Sequence, residues 1–163
     1  MLVTSKEAKN MLRKLEDNEN IIWKRERDNC VFRAATNENP EELRPDYDFW
    51  ETSNSLMEIQ KEMIMIKHKI NVFNSTTEVG DTGLTIDQIL VRMPQITREL
   101  SRLDILRRKQ PKTRCPICGN IIDYEYTNYD PVEAEKLYNS LSTELSYLQE
   151  QLDLVNSTIK FEI

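Results

Sequence analysis

Residues 130–159, "DPVEAEKLYNSLSTELSYLQEQLDLVNSTI", decide the fold, because apolar side chains recur there at steps of three and four residues. This spacing places them on one face of an α-helix, as in a heptad seam. Asp130 stands at the N-cap position and Pro131 at the first helical position, as at typical helix starts. The seam consists of Ala134, Tyr138, Leu141, Leu145, Leu148, Leu152, Val155 and Ile159. The stretch predicts one helix of ~28 residues, about 42 Å long.

The preceding helix, third in the chain, has an equally distinct start. Thr85 and Gln88 form a capping box, and Leu84 and Ile89 stand at the hydrophobic-staple positions that fix the entry angle of the chain. Its apolar face consists of Ile86, Ile89, Met93, Ile96, Leu100 and Leu103. Pro94 lies inside this pattern, so we expect a bend or one missing hydrogen bond.

Two earlier helices follow the same rules. Thr4 and Glu7 form another capping box at the start of the first helix. Its apolar face consists of Ala8, Met11, Leu12, Leu15 and Ile22. The polar segment 36–46 is then interrupted by prolines and predicts a loop. The second helix is predicted from about Asp46 to Phe73. Its seam consists of Leu56, Ile59, Met63, Ile66, Ile70 and Phe73.

The order of these parts predicts an all-α protein, a single helical domain over 1–163 that contains two long antiparallel helical hairpins. Hairpin one spans 4–79 and hairpin two spans 84–163. Residues 110–129 join the third and fourth helices as a short β-hairpin or zinc knuckle, because "IIDYEYT" (121–127) alternates and is rich in β-branched and aromatic residues. Helices with narrow apolar stripes bury little surface each, so we expect a four-helix or coiled-coil bundle and a homo-oligomer. The methionines of "LMEIQKEMIMIKHKI" are assigned to the core as well.

The composition excludes several classes of function. The 163 residues include only 3 Gly and 31% charged residues, which is typical of long helices. A formal net charge of −6 disfavours binding to nucleic acid or to an anionic membrane. No apolar run approaches the ~18 residues that cross a bilayer, and no signal peptide is recognisable. We therefore expect a cytoplasmic protein. Phosphate loops and nucleophile elbows are missing from the sequence, so we expect no enzyme and no small-molecule substrate.

Residues 114–120, "RCPICGN", contain half of a zinc site. Cys115 and Cys118 have the Cys-x-x-Cys spacing that grips one ion, and a tetrahedral structural zinc needs four ligands. We favour a site shared by two chains, each of which gives both cysteines. The motif is similar to the zinc hook of coiled-coil DNA-repair ATPases, where CPxCG also lies at the turn between two antiparallel helices.

Three other interpretations stay open. Cys30 and His68 could complete the site within one chain, although Cys30 suits a small core residue and His68 a solvent-facing one. A redox dithiol normally needs a βαβ scaffold, which this pattern does not predict. The motif could also be a turn that binds no metal. Structural zinc is therefore the one cofactor that we consider.

The segment "RRKQPKTR" (107–114) is strongly basic. Its cations are Arg107, Arg108, Lys109, Lys112 and Arg114. Such a run can contact an anion or an acidic partner. Cations at a helix C-terminus more often complement the helix dipole and cap its last carbonyl groups.

Three stretches together resemble a known family: "INVFNSTTEVGDTGLT" (70–85), "NYDPVEAEKLYNSLSTEL" (128–145) and "DLVNSTIKFEI" (153–163). They are similar to the septicolysin-like family of small, uncharacterised bacterial helical proteins. The resemblance covers most of the chain and implies a helical, oligomeric protein, and it assigns no catalytic residue. Our leading hypothesis is a non-enzymatic coiled-coil oligomer clamped by zinc. The resemblance suggests a membrane-acting toxin as an alternative, and the basic run suggests a nucleic-acid or protein adaptor.

Overall fold

The computed structural model describes residues 1–115 and 122–163. Within these ranges the protein is mostly helical, with two small antiparallel sheets. The helices are α1 (Ser5–Asn29), α2 (Pro40–Leu43), α3 (Phe49–Thr76), α4 (Ile86–Arg107) and α5 (Pro131–Thr158). The strands are β1 (Leu2–Thr4), β2 (Lys112–Arg114), β3 (Tyr124–Tyr126) and β4 (Lys160–Glu162). The predicted helical class is confirmed, whereas the sheet of β1 and β4 and the short α2 were not predicted.

The predicted capping boxes lie at the starts of α1 and α4. The backbone N–H of Thr4 donates to Glu7 Oε2 at 2.8 Å, and the N–H of Glu7 donates back to Thr4 Oγ1 at 3.3 Å. At the second box, the N–H of Thr85 donates to Gln88 Oε1 at 2.9 Å. These bonds satisfy donors that a helix terminus leaves without partners. The sequence therefore predicted both helix starts to the residue.

The remaining boundaries differ little from prediction. α3 begins at Phe49 rather than near Asp46, because Asp48 caps it by accepting from the N–H of Glu51 at 2.8 Å. α5 begins at Pro131 as predicted, and α4 runs from Ile86 to Arg107 through Pro94. Pro94 is exposed on α4.

Contacts divide the chain into two compact units. Unit 1 consists of Met1–Phe73 and Asn156–Ile163, and unit 2 consists of Asn74–Val155. Residues 156–163, which our prediction counted in hairpin two, thus belong with the N-terminal part of the chain. The prediction of a single domain stays a prediction.

Unit 1 contains the antiparallel pair α1–α3. Glu19 Oε1 accepts from Gln60 Nε2 at 2.8 Å, and Glu16 lies 3.7 Å from Lys67 Nζ. The earlier residue of α1, Glu16, contacts the later residue of α3, Lys67. The two helices therefore run antiparallel. Its polar contacts lie beside the predicted apolar faces of both helices.

The sheet of unit 1 joins the two ends of the chain. β1 and β4 are antiparallel, with Val3 opposite Phe161. Phe161 stacks on Phe73 of α3 with ring centroids 4.4 Å apart. The buried cluster here consists of Val3, Ala8, Ile66 and Ile70, with Met11, Leu12, Leu15, Phe161 and Ile163 packed against it. The inner faces of α1 and α3 are therefore the faces that the sequence predicted.

Unit 2 contains the antiparallel pair α4–α5. Arg92 of α4 makes two hydrogen bonds to Glu144 of α5, at 2.9 and 3.0 Å. Further along α4, Arg107 contacts Glu135 at 3.0 Å. The buried residues of the two helices are Ile86, Ile89, Ile96, Leu103, Ala134, Leu148, Leu152 and Val155, all of them predicted seam residues. Ile159, the last predicted member, is exposed, because α5 ends at Thr158.

Candidate functional site

Cys115 lies at the end of a β-hairpin that joins α4 to α5. β2 and β3 are antiparallel, with Arg114 opposite Tyr124. The backbone N–H of Cys115 donates to the carbonyl of Asp123 at 2.9 Å, so the ladder continues one residue beyond β2. The Cys115 side chain is half-buried. Cys118, the second predicted ligand, lies outside the described residues. The predicted β-hairpin is confirmed, and the zinc site stays a prediction.

The base of this hairpin is tied to α4. The N–H of Thr127 donates to the carbonyl of Pro111 at 3.2 Å, which closes the β-ladder on the helix side. The hydroxyl of Tyr129 donates to the carbonyl of Leu106 at 2.8 Å. Leu106 belongs to the last turn of α4, and its carbonyl also accepts from the backbone N–H of Lys109 at 3.2 Å, so the tyrosine hydroxyl is an additional donor at the helix end. The hairpin therefore supplies a cap for α4 as well as a position for Cys115.

Arg107, a predicted anion contact, instead links α4 to α5. Its guanidinium contacts Asp104 at 2.7 Å and Glu135 at 3.0 Å, and it lies 4.0 Å from the centroid of the Tyr138 ring. The hydrogen bond from Arg107 lowers the pKa of Asp104, and the bonds to both carboxylates raise the pKa of Arg107. Because its guanidinium already bonds two carboxylates and lies over one aromatic ring, Arg107 has few N–H groups left for an external anion. Arg107 therefore acts within unit 2.

Three further cations of the run also have partners. Arg108 contacts the Asp104 carboxylate at 2.9 Å, and Lys109 Nζ lies 3.7 Å from Glu125 Oε1. The third, Lys112, lies over the Tyr124 ring, 4.1 Å from its centroid. These contacts are exposed, so each contributes little to stability. They nevertheless give most cations of the basic run partners within the chain, so the run does not present five free charges.

Arg114 differs from the other predicted contact residues. It is exposed, and it makes no ion pair with any described residue. It directly precedes Cys115 and lies opposite Tyr124 in the ladder. The structure therefore leaves one cation of the run next to the predicted zinc ligand.

Cys30 and His68 are far apart within unit 1. Cys30 follows the last turn of α1 as its C-cap, whereas His68 adjoins Lys67, which pairs with Glu16. From Glu16 to Cys30 the helix rises about 21 Å, so one ion cannot contact both predicted ligands. The interpretation of Cys30 as a core residue is wrong, because its position beyond the helix leaves it exposed. His68 is exposed, as predicted. In residues 1–115 and 122–163, no three His, Cys, Asp or Glu side chains are grouped as metal ligands.

One exposed surface was missed by the sequence argument. Met57 and Met65 of α3 were assigned to the core with the rest of the Met-rich segment, and both are more than half exposed. Trp50 and Ile64 of the same helix are also exposed. The seven-residue spacing of Trp50, Met57 and Ile64 is visible in the sequence. It places them in one row on a helical face that they share with exposed Lys61 and His68.

Comparison with known proteins adds to the description of the fold. No family model and no curated protein matches the sequence. One solved structure is similar, a "functionally unknown conserved protein from Corynebacterium diphtheriae" with 16% sequence identity and a TM-score of 0.61. The match covers 99% of this chain and 100% of that chain. At this identity the likeness shows a shared helical fold and carries no function. In the part of the chain that the structure describes, no helix combines the length and the apolarity needed to cross a membrane.

Proposed function

We propose that this protein is a non-enzymatic helical protein that self-assembles, and that two copies share one structural zinc ion through Cys115 and Cys118. The observation that supports this best is the position of Cys115 at the end of the hairpin between α4 and α5, with its backbone held to Asp123 at 2.9 Å. A cysteine pair at such a turn can meet the same pair of a second copy. Together the two pairs supply the four thiolates that a tetrahedral structural zinc requires.

The support beneath Cys115 suits a shared site. Arg92 and Glu144 form a two-bond contact between α4 and α5, and Arg107 links the same helices nearer the hairpin. Tyr129 fixes the hairpin to α4. A ligand on a preorganised support loses less conformational freedom when a second copy binds, so more of the metal-binding free energy remains for assembly.

Charge also favours this assignment. Four thiolates around one Zn²⁺ leave two negative charges at the site, and outer-shell groups tune such a centre. Arg114 adjoins Cys115, and Lys112 lies on β2 three residues before Cys115. In a two-fold assembly each copy brings both cations, which offsets the excess negative charge. This gives the basic run a role that does not need an external anion.

Two alternative functions are weaker proposals. The first is an adaptor that binds nucleic acid or an acidic protein through the basic run. Fewer of its charges are free than the sequence alone indicates, because Arg107, Arg108 and Lys109 contact carboxylates. A membrane-acting toxin rests on the septicolysin-like resemblance. Salt-dependent gel shifts test the adaptor, and leakage from lipid vesicles tests the toxin.

Native mass spectrometry of untagged protein purified without added metal tests the zinc proposal. We expect one zinc ion per two chains, and we expect a chelator to remove the zinc and that chain–chain link together. The double variant Cys115→Ser, Cys118→Ser should lose both. Cys30→Ser is the matched control, because Cys30 is an exposed cysteine in the other unit, and it should keep the wild-type zinc content.

Two results would contradict the proposal. One zinc ion per chain would place the remaining ligands within the same chain. An unchanged oligomeric mass in the double variant, both with zinc and with chelator, would show that the cysteines do not join chains. In either case Cys115 and Cys118 would not link two copies of the chain through a shared zinc ion.

A further inference from the structure

Units 1 and 2 repeat one plan, so corresponding residues can be compared. α3 (Phe49–Thr76) and α5 (Pro131–Thr158) have 28 residues each, and their starts and ends are both offset by 82 residues. The capping residues Thr4 and Thr85, which precede α1 and α4, are offset by 81 residues. A residue in a helix of one unit therefore has an identifiable counterpart in the other unit. Burial agrees with this offset, because three buried residues of α3 correspond to three buried residues of α5: Ile66, Ile70 and Phe73 in the one, and Leu148, Leu152 and Val155 in the other.

The ion pair that joins α4 to α5 in unit 2 lacks its cation in unit 1. Arg92 donates two hydrogen bonds to Glu144, at 2.9 and 3.0 Å. By the two offsets, the counterpart of Glu144 is Glu62 of α3, and the counterpart of Arg92 is Met11 of α1. Methionine has no side-chain N–H to donate, and Glu62 makes no ion pair with any residue of 1–115 or 122–163. Unit 1 therefore keeps the carboxylate of this pair without the guanidinium.

Met11 and Glu62 line the same cavity, so they lie close together as their counterparts do. The cavity has a volume of about 340 Å³. Its apolar lining consists of Met11, Met65, Ile66 and Ile163, and its polar lining consists of Glu62, His68 and Lys69. A volume of this size, with apolar walls and few polar groups, is typical of sites that bind small molecules. Glu62 and Lys69 are exposed, so a ligand can reach the cavity from solvent.

The charged groups of the lining stand at opposite ends of the cavity. Lys69 follows Glu62 by seven residues on α3, and seven residues correspond to a rise of about 10 Å. His68 adjoins Lys69 and lies at the same end. The cavity therefore has a carboxylate at one end, a cation at the other, and apolar side chains between them.

The other charges nearby do not change this pattern. Glu58 and Lys61, which flank Glu62 in α3, are not among the lining residues. Lys67 is already paired with a carboxylate of α1, at 3.7 Å. The backbone of Ile163 is engaged with Met1, because the nitrogen of each donates to the oxygen of the other, at 3.0 and 2.8 Å. The lining itself therefore presents one carboxylate and one lysine to a ligand.

A ligand that fits both ends carries a guanidinium and a carboxylate on one aliphatic chain. A guanidinium suits Glu62, because the counterpart carboxylate in unit 2 accepts two hydrogen bonds from a guanidinium. A carboxylate suits Lys69 at the other end. The methylene groups between them can be buried against Met11 and Ile66.

We propose that this cavity binds a small ω-guanidino carboxylic acid, with the guanidinium at Glu62 and the carboxylate at Lys69. The site lies wholly in unit 1, whereas Cys115 lies in unit 2, so ligand binding does not depend on the zinc link. The proposal adds a small-molecule ligand to a protein whose proposed function is otherwise self-assembly.

Titration of the full chain with γ-guanidinobutyric acid, followed by nuclear magnetic resonance, tests the site. We expect saturable shifts of the backbone amide signals around Met65, with a Kd of about 1 mM, because so small a ligand gains little free energy on binding. Butylguanidine lacks the carboxylate and butyric acid lacks the guanidinium, so each should bind at least about 3-fold more weakly. A chelator should leave the Kd values unchanged. Shifts that do not saturate would overturn the site, and equally tight binding of butylguanidine would overturn the role of Lys69.

Removal of the carboxylate tests the guanidinium end. Glu62→Gln should raise Kd at least about 10-fold, because the charge-assisted hydrogen bonds to the guanidinium are weakened. Glu58→Gln is the matched control, since Glu58 is an exposed glutamate one turn earlier in α3 and does not line the cavity. Its replacement should leave Kd unchanged. Equal Kd values in the two variants would overturn the assignment of Glu62.

Met11→Arg tests the comparison between the two units. The substituted side chain should pair with Glu62 as Arg92 pairs with Glu144, and it should occupy the cavity. We therefore expect a higher urea midpoint together with loss of ligand binding, and adding Glu62→Gln should remove the gain in midpoint. Circular dichroism shows whether the variants stay helical. Wild-type affinity for the ligand in folded Met11→Arg would overturn the location of the site. Zinc content measured on the same variants reports the zinc proposal separately, so the two proposals can fail independently.

Discussion

Replacement of Ile66 by Ala should destabilise unit 1 strongly, whereas the same replacement at Ile64 should not. Ile66 is 2% exposed and belongs to the buried cluster with Val3, Ala8 and Ile70. Ile64 stands two residues earlier in α3 and is 69% exposed on the other side of the helix. The pair therefore compares the same chemical change in the same helix, with burial as the variable.

The expected magnitude follows from the atoms removed. Ile→Ala deletes three carbon groups, worth about 0.8 kcal/mol each when buried, or about 2.4 kcal/mol of transfer free energy. The cavity left at Ile66 adds to this, and buried replacements of this kind cost about 2–5 kcal/mol in total. At Ile64 most of the side chain is in water already, so the cost should stay within about 0.5 kcal/mol. The higher helix propensity of Ala offsets part of even that cost.

Tryptophan fluorescence in a urea titration measures the free energy of unfolding of unit 1 selectively. The chain has 2 tryptophans, and both Trp23 and Trp50 belong to this unit. We expect a lower midpoint for Ile66→Ala with an unchanged slope. The protein should be dilute enough to be monomeric, so that contacts between chains do not affect the measured free energy. Equal losses of stability in the two variants would refute the assignment of the inner and outer faces of α3.

Three further predictions concern single contacts. Thr4→Ala should cost about 1 kcal/mol of stability at neutral pH through loss of the cap. Hydrogen bonds from the backbone N–H and the hydroxyl of Thr4 lower the pKa of Glu7, so their contribution is present above the unfolded pKa of about 4.3 and is lost as pH falls through the lower folded pKa. The variant lacks only the hydroxyl, so the two urea midpoints should approach each other in acid without meeting, because the cap bond from the N–H of Glu7 to Thr4 Oγ1 does not titrate. The hydrogen bond to Glu26 raises the pKa of Tyr47 to about 12, and its contribution is present below the unfolded pKa of about 10 and lost as pH rises through 12. Alkaline ultraviolet titration of Tyr47→Phe should lack that late-titrating phenol. Pro94→Ala should stabilise α4 by up to about 3 kcal/mol, measured as a higher midpoint by circular dichroism, because the chain regains a backbone donor inside the helix.

The helix starts could be predicted because their causes are local. Thr4 with Glu7, and Thr85 with Gln88, bond across three residues, so a short window of sequence contains both partners. Pro131 likewise needs only its own ring to favour the first turn of α5. The inner faces of α4 and α5 followed from spacing alone, since each of these helices has one dominant apolar seam.

The contacts that close unit 1 could not be predicted in this way. β1 and β4 are three residues each and lie at opposite ends of the chain. Strands this short have no periodicity to recognise, and their register depends on partners far away in sequence. The stacking of Phe161 on Phe73 is a further long-range contact. The exposure of Cys30 depends similarly on where α1 ends and not on the preference of cysteine for burial.

α3 shows most clearly where a periodic pattern stops being informative. Ile64 and Ile66 have the same chemistry, and each belongs to an apolar stripe with helical spacing. Periodicity states that such stripes exist, but it does not state which of them the chain itself covers. That choice is made by contacts distant in sequence, such as those of Ile66 with Val3 and Ala8. The row of Trp50, Met57 and Ile64 shares its helical face with exposed Lys61 and His68, so these apolar residues stand among polar side chains and spacing alone could not show whether they are covered.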